Sequence, residues 1–207
     1  MKEALWVVRE AFTDVWDDLW TMLVCNLLWY LANILVIPGP PATLALMHFA
    51  NRLTHGETAD LGDFWKAFRH YWWPAWRWGA INLGAIAFLL ADIILIGPYS
   101  QDLWSQYLTA LYAAFLAAWL ILQFFALPFF FEQQTMSVRQ ALQNGAALIG
   151  KNPGFSIILM ALLLLILVVG IAAFMLSFML GAALLACAAN HAVINRLQAA
   201  NRAEERA

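Results

Sequence analysis

The positions of the basic residues constrain this chain more than any other feature of its sequence. All eleven Lys and Arg residues fall into four clusters that are separated by long apolar stretches. The clusters contain Lys2 and Arg9; Arg52, Lys66, Arg69 and Arg77; Arg139 and Lys151; and Arg196, Arg202 and Arg206. Cationic loops of membrane proteins are retained on the cytoplasmic side. The pattern therefore predicts a multi-pass membrane protein whose N-terminus and C-terminus are both cytoplasmic.

The composition excludes an ordinary soluble domain. The chain is 64% hydrophobic and 12% charged, whereas soluble domains carry roughly 25% charged residues. A net charge of −2 and the lack of a basic stripe argue against nucleic acid as a partner. We expect the lipid bilayer to be the main partner of this chain.

The apolar stretches predict an all-α fold, a polytopic membrane helix bundle with six transmembrane helices. A bilayer core takes about 20 helical residues, and the predicted spans are residues 19–37, 42–53, 78–96, 108–131, 155–172 and 176–194. The last two form one apolar run, which as a single helix would far exceed a bilayer, so we expect a reversal near residues 173–177. Pro128 is expected to kink the fourth span.

The second span, residues 42–53, is short for a bilayer. Either its helix extends past Arg52, or the turn at residues 38–41 lies below the outer surface, where protein shields it. We favour the second arrangement, because the Pro-Gly-Pro-Pro sequence of this turn leaves few backbone N–H groups unsatisfied.

The sequence is consistent with a threefold pseudo-repeat of helix-hairpin units within a single membrane domain. Similar four-residue segments at 9–12, 65–68 and 139–142 are each followed fourteen residues later by Asn26, Asn82 and Ser156, respectively. The units would cover about residues 1–57, 62–134 and 136–199. We interpret each as a cytoplasmic interfacial amphipathic helix followed by a membrane hairpin. Chance similarity among apolar helices is the alternative.

Tryptophan is concentrated near the predicted cytoplasmic face. The candidate interfacial or docking residues are Trp16, Trp20, Trp65, Trp72, Trp73 and Trp76. An aromatic belt that anchors the protein at headgroup level explains such a cluster, and a docking surface for a partner is the sharper alternative.

Polar residues within the spans define the candidate intramembrane site, because such side chains tend to face the bundle or a cavity. Its members are Asn26, Asn33, Asn82 and Asp92. The asparagines either contact a solute or hydrogen-bond neighbouring helices. Asp92 is either a proton or cation site or an interfacial group with bound water.

A second candidate site lies near the inner ends of the second and sixth spans. It contains His48, Asn190 and His191. Their spacing does not match a metal motif, and no catalytic set or phosphate-binding loop is present. We expect no metal, no cofactor and no enzymatic activity.

Residues 26–29, Asn-Leu-Leu-Trp, and the segment 38–46 that follows resemble the YesL family of bacterial integral membrane proteins. Residues 63–68, Asp-Phe-Trp-Lys-Ala-Phe, are similar to the family's second cytoplasmic helix. The proline-rich turn departs from the family, which more often carries Thr and small residues there. The resemblance implies a six-span protein of the bacterial cytoplasmic (inner) membrane, of uncharacterised activity, often encoded beside carbohydrate ABC transporters. It transfers no catalytic residue.

Two functions are compatible with these features. One is an accessory protein or regulator of a carbohydrate ABC transport system, with sugar ABC permease subunits as partners and a second copy of this chain as another candidate. The other is a small transporter or permease subunit that uses the intramembrane polar site.

Overall fold

The structure is a computed structural model that describes residues 1–96, 102–172 and 175–205. All regular secondary structure in these ranges is helical. The helices are α1 (Lys2–Asp17), α2 (Leu19–Ile34), α3 (Gly39–Thr54), α4 (Leu61–His70), α5 (Trp72–Ile96), α6 (Leu103–Glu132), α7 (Val138–Lys151), α8 (Pro153–Ala172) and α9 (Met175–Glu204).

Four helices are long and apolar enough to cross a membrane. These segments are Trp72–Leu95, Leu103–Glu132, Pro153–Gly170 and Met179–Ala203. They leave large apolar side chains exposed, as at Phe88, which is 64% exposed, and Leu164, which is 62% exposed. Soluble monomers rarely expose apolar surface of this extent. The exposed surface and the helix lengths together indicate a membrane protein.

The helix bounds refine the spans expected from the sequence. Helix α5 begins at Trp72, rather than at 78, and α6 begins at Leu103, rather than at 108. Helix α6 continues through Pro128 to Glu132. Helix α8 ends at Ala172 and α9 begins at Met175. The reversal predicted near 173–177 includes residues 173 and 174, which, like residues 97–101, lie outside the described residues.

Helices α3, α6 and α9 contact one another at the centre of the bundle. Each is also packed against the helix that precedes it in its hairpin: α2 on α3, α5 on α6 and α8 on α9. The three amphipathic helices cover one end: α4 packs on α3, α7 on α6 and α1 on α9. The described Lys and Arg residues lie on these helices or where α3, α5 and α9 reach them. We call this the charged end.

Local sequence explains why the amphipathic helices form where they do. Helix α4 begins with a capping box, in which Asp60 accepts from the backbone N of Asp63 at 2.8 Å and Asp63 accepts from that of Asp60 at 3.2 Å. Such boxes satisfy N–H groups that a helix start leaves free. In α7, Gly145 packs against the α6 backbone, where a Cβ would lie 3.0 Å from the Ala126 nitrogen. Helix α7 can therefore approach α6 closely.

The turn between α2 and α3 exposes only apolar side chains from Ile34 to Ile37. Its backbone N–H groups are nevertheless accounted for. Those of Leu35, Val36 and Ile37 donate to carbonyls of residues 31, 33 and 35, and those of Gly39 and Ala42 donate to residues 36 and 38. The remaining positions, 38, 40 and 41, are prolines, which have no N–H. A turn with no free donor can lie in hydrocarbon.

The same turn lies beside the first half of α5. Pro40 is buried, and a Cβ on Gly79 would come within 2.8 Å of its ring carbons. From Leu83, which lines a pocket with Val36, helix α5 runs on to Ile96. That stretch is about 20 Å of helix. Helix α3 therefore extends past Arg52, to Thr54, and the proline segment at its start packs against α5.

Val36 has a φ of 64°. This conformation is strained for a β-branched residue. A glycine would relieve the strain but would remove an apolar side chain from an exposed, wholly apolar turn.

Candidate functional site

Polar side chains from three central helices meet near the charged end. Asn51 of α3 donates from Nδ2 to Oε1 of Glu132 in α6 at 2.8 Å and to Oδ1 of Asn190 in α9 at 3.0 Å. Asn190 is fully buried and Asn51 nearly so. We call Asn51, Glu132 and Asn190 the inner cluster.

Asn190 links two helices through its side-chain amide. Its Nδ2 donates to the carbonyl oxygen of Ala186, one turn earlier in α9, at 2.9 Å, and to that of Met47 in α3 at 3.3 Å. Its Oδ1 accepts from Asn51. A buried amide is expensive unless its donors and acceptor are used. The inner cluster therefore fixes the positions of α3 and α9 relative to each other.

Glu132 supplies the negative charge of the inner cluster. It is the last residue of α6, and its side chain is 19% exposed. A carboxylate at a helix C-terminus is destabilised by the negative end of the helix dipole, so it needs hydrogen-bond donors or cations nearby. The amide of Asn51 offsets this, and His55 Nε2 lies 3.6 Å from Oε1. The inner cluster offers no nucleophile beside a base.

The two histidines predicted near the inner face do not share a site. His191 of α9 pairs with Asp14 of α1, with Nε2 and Oδ2 2.8 Å apart, and the ring of Trp6 packs edge-on against it. His48 of α3 packs against the rings of Tyr71 and Phe131. Among the described residues, its buried Nδ1 has no hydrogen-bond partner.

Asn26 is fully buried and contacts the backbone of α9. Its Oδ1 accepts from the N–H groups of Ala182 and Ala183 at 3.0 and 3.1 Å. In a regular helix those N–H groups donate four residues back. A side-chain oxygen that takes both must share or open these bonds, which is one cause of helix bending. Asn26 therefore acts here as a helix–helix contact.

Asn33 and Asn82 line one pocket. It has a volume of about 240 Å³ and lies between the proline turn and α5, with Thr43 and Gly79 in its wall. Asn33 donates to the carbonyl of Trp29 at 2.8 Å, and Asn82 accepts from Trp119 Nε1 at 2.8 Å. The structure brings these two predicted residues together, but not with Asn26.

Asp92 lies across the α5–α6 hairpin from Thr109. Hydrogen bonds join Trp78 to Gln123 and Asn82 to Trp119. A step of four residues forward in α5 therefore corresponds to a step of four residues backward in α6. The same register, continued along α5, places Asp92 beside Thr109. Asp92 Oδ2 and Thr109 Oγ1 are both buried and lack a hydrogen-bond partner within the described residues.

The six tryptophans predicted to be interfacial or docking residues differ in how far their side chains are exposed. Trp16, Trp20 and Trp73 are 75%, 78% and 75% exposed. Trp65 is half exposed and stacks on Phe68. Trp72 and Trp76 are partly buried. They follow segment 65–68 at the same distances at which the exposed Trp16 and Trp20 follow segment 9–12, so equivalent positions of the repeat differ in exposure.

The sequence did not single out Glu132 or Asn51 as members of a site. Asn51 and Asn195 begin a similar Asn-Arg-Leu sequence near the ends of the first and third units. That similarity could have drawn attention to Asn51, and the carboxylate at the end of the fourth apolar stretch could have drawn attention to Glu132. In the part of the chain that the structure describes, no group of three or more His, Cys, Asp or Glu side chains could hold a metal ion.

The fold and these sites define an all-helical membrane protein with a buried polar contact among its central helices. Over residues 22–93 the chain is similar to a family described as "Protein of unknown function, DUF624". That segment includes the three sequence stretches that resemble the YesL family, at 26–29, 38–46 and 63–68, although no named relative supports that narrower assignment. No curated protein and no solved structure matches the chain.

Proposed function

We propose that the chain forms six membrane helices in a bacterial cytoplasmic membrane, with both termini and the charged end in the cytoplasm. The support is the placement of the basic residues and the four long apolar helices. In this topology the α2–α3 hairpin enters the bilayer and its turn remains below the outer surface. A thiol probe beside Arg69 or Lys151 should react with membrane-impermeant reagents only after cells are opened; reaction in intact cells would contradict this orientation.

The packing supports a threefold pseudo-repeat. The three units are α1–α3, α4–α6 and α7–α9. In each case an amphipathic helix packs on the last helix of the preceding unit, and α1 closes the ring by packing on α9. The last helices of all three units meet at the centre. Repeat interfaces are where membrane proteins place functional sites, and the inner cluster occupies this position.

The chain acts, in this proposal, as a non-enzymatic accessory protein or regulator of a carbohydrate ABC transport system. The exposed tryptophans of α1, α2 and α5 carry the proposal. Trp16, Trp20 and Trp73 present large amphipathic rings near the charged end, where aromatic side chains can contact a partner. The partner class, a sugar ABC permease, rests on the YesL resemblance.

Affinity purification in mild detergent tests this function. The full chain should recover sugar ABC permease subunits, and the double variant Trp16→Ala/Trp20→Ala should lose most of that recovery. Trp104→Ala is the matched control, because Trp104 is 73% exposed but lies near the opposite end of α6. A wild-type chain that always purifies alone would contradict the proposal, as would equal recovery by the double variant and the control.

A small transporter or permease subunit is the second candidate. Two buried oxygens without a hydrogen-bond partner within the described residues, Asp92 Oδ2 and Thr109 Oγ1, and the Asn33–Asn82 pocket favour it. Solute uptake into proteoliposomes discriminates between the candidates, because a transporter takes up solute without another permease and an accessory protein does not. Uptake that is unchanged in both Asp92→Asn and Asn82→Ala would remove the residues on which this candidate depends.

A further inference from the structure

A basic pocket lies at the charged end, separate from the inner cluster and from the intramembrane asparagines. It is formed by α3, α4 and Tyr71, the residue after α4, and has a volume of about 700 Å³. Sites for small molecules usually measure roughly 300–1,000 Å³. The lining includes His48 and Arg52 from α3, with Asp63, Lys66, Arg69 and His70 from α4.

The charges of this pocket favour an anion. Three cationic side chains, Arg52, Lys66 and Arg69, line it together with one carboxylate, Asp63. Glu57, which is outside the lining, also binds Arg52, at 2.9 Å. The set retains a positive excess even when Glu57 is included, although the whole chain carries a net charge of −2.

Asp63 positions two of these cations. Its Oδ2 lies 2.6 Å from Arg52 Nη1, and its Oδ1 lies 3.1 Å from Lys66 Nζ. The backbone N–H of Asp60 and the Lys66 ammonium lower the pKa of the Asp63 carboxyl below its usual range, and Arg52 contributes as well. Asp63 therefore stays ionised and holds the Arg52 and Lys66 side chains at the rim of the pocket.

Arg69 differs from the other two cations. Within the described residues it has no carboxylate partner, and its guanidinium lies over the ring of Trp65, 5.0 Å from the centroid. Stacking on an aromatic face orients the guanidinium fork. His48 adds a second polar group without a partner, because its buried Nδ1 makes no hydrogen bond within the described residues. The Arg69 guanidinium therefore has N–H groups free to donate to a ligand, and the His48 nitrogen can donate or accept according to its tautomer.

We propose that this pocket binds a phosphoryl group, with Arg69 and Lys66 as its principal ligands. Arginine forks match phosphate oxygens in pairs, and lysine supplies a point charge. Basic pockets at the cytoplasmic side of membrane helices bind lipid headgroups, and the exposed Trp65 and Trp73 place the pocket at headgroup level. The same chemistry accommodates a free phosphate, so the test distinguishes the two sources. The proposal goes beyond the accessory function and does not depend on it.

Binding is measured on the full chain in neutral detergent, with the rise in apparent unfolding temperature as the readout. One arm titrates inorganic phosphate. The other adds mixed micelles of phosphatidylglycerol, with phosphatidylcholine for comparison. Saturation by phosphate identifies a free phosphoryl ligand, and saturation by phosphatidylglycerol alone identifies a lipid headgroup. Either outcome supports the proposal.

Four variants make the test specific. Arg69→Gln and Lys66→Gln should each weaken the binding about tenfold, whereas Arg69→Lys should retain much of it. Arg139→Gln is the matched control, because Arg139 is also exposed on an amphipathic helix but does not line this pocket. The proposal is overturned if neither probe saturates, or if Arg69→Gln and Arg139→Gln bind equally well.

Discussion

Replacement of Gly79 by valine is expected to destabilise the protein by about 3 kcal/mol, at the upper end of the usual cost of overpacking a core. A Cβ at this position would lie 2.8 Å from both Cβ and Cγ of Pro40, closer than carbon atoms approach. Pro40 is buried in the first turn of α3, and its ring cannot rotate away. Helices α3 and α5 must therefore separate.

The apparent unfolding temperature, followed by intrinsic tryptophan fluorescence, measures this effect. Gly84→Val is the matched control, because Gly84 lies on the same helix and a Cβ there meets nothing within 4 Å. Both variants share the change in helix propensity, so the difference between them reports the clash. Gly79→Ala should fall between, which keeps the test informative if the valine variant does not fold. Equal unfolding temperatures for Gly79→Val and Gly84→Val would refute the packing described here.

Replacement of Asn190 by alanine is expected to cost about 2–3 kcal/mol, the cost of leaving buried polar groups without partners. The variant removes the acceptor for Asn51 and the donor to the Met47 carbonyl. It also leaves Asn51 as a less constrained donor to Glu132. For a chain of this size, we expect the apparent unfolding temperature to fall by roughly 4–12 °C.

Asn201→Ala serves as the control for this prediction, because Asn201 is exposed on the same helix. Its unfolding temperature should stay close to wild type. A second variant, Asn190→Asp, keeps the side-chain size and the acceptor while removing the amide donors and adding a charge near Glu132. It should be at least as unstable as Asn190→Ala. A wild-type unfolding temperature in both Asn190 variants would show that the inner cluster does not hold α3 and α9 together.

The sequence predicted the features that depend on local composition. Apolar length and basic residues indicated a helical membrane protein, and the four long helices agree with that. The small number of free N–H groups in the α2–α3 turn could also be expected, because the sequence shows that Pro38, Pro40 and Pro41 have none. In contrast, the six-helix topology and the repeat remain proposals.

The sites were harder to predict, because their members are distant in the chain. Asn51, Glu132 and Asn190 are far apart in sequence, and only the meeting of three helices brings them together. Asn26 and Asn82 occupy equivalent positions in the repeat, but one binds the α9 backbone and the other binds Trp119. Spacing alone cannot distinguish these roles, since it does not specify which neighbour each helix face meets.

The proposed insertion of the α2–α3 hairpin into the bilayer has a consequence for the surrounding lipid. If its apolar turn stops well short of the far end of α5, the lipid tails beside it face a hydrophobic wall shorter than the bilayer is thick. Lipids respond to such mismatch by local thinning or by helix tilt, at a cost of fractions of a kcal/mol per Å. One flank of the protein would then border a thinned patch of membrane, and thinner bilayers would suit it better than thick ones.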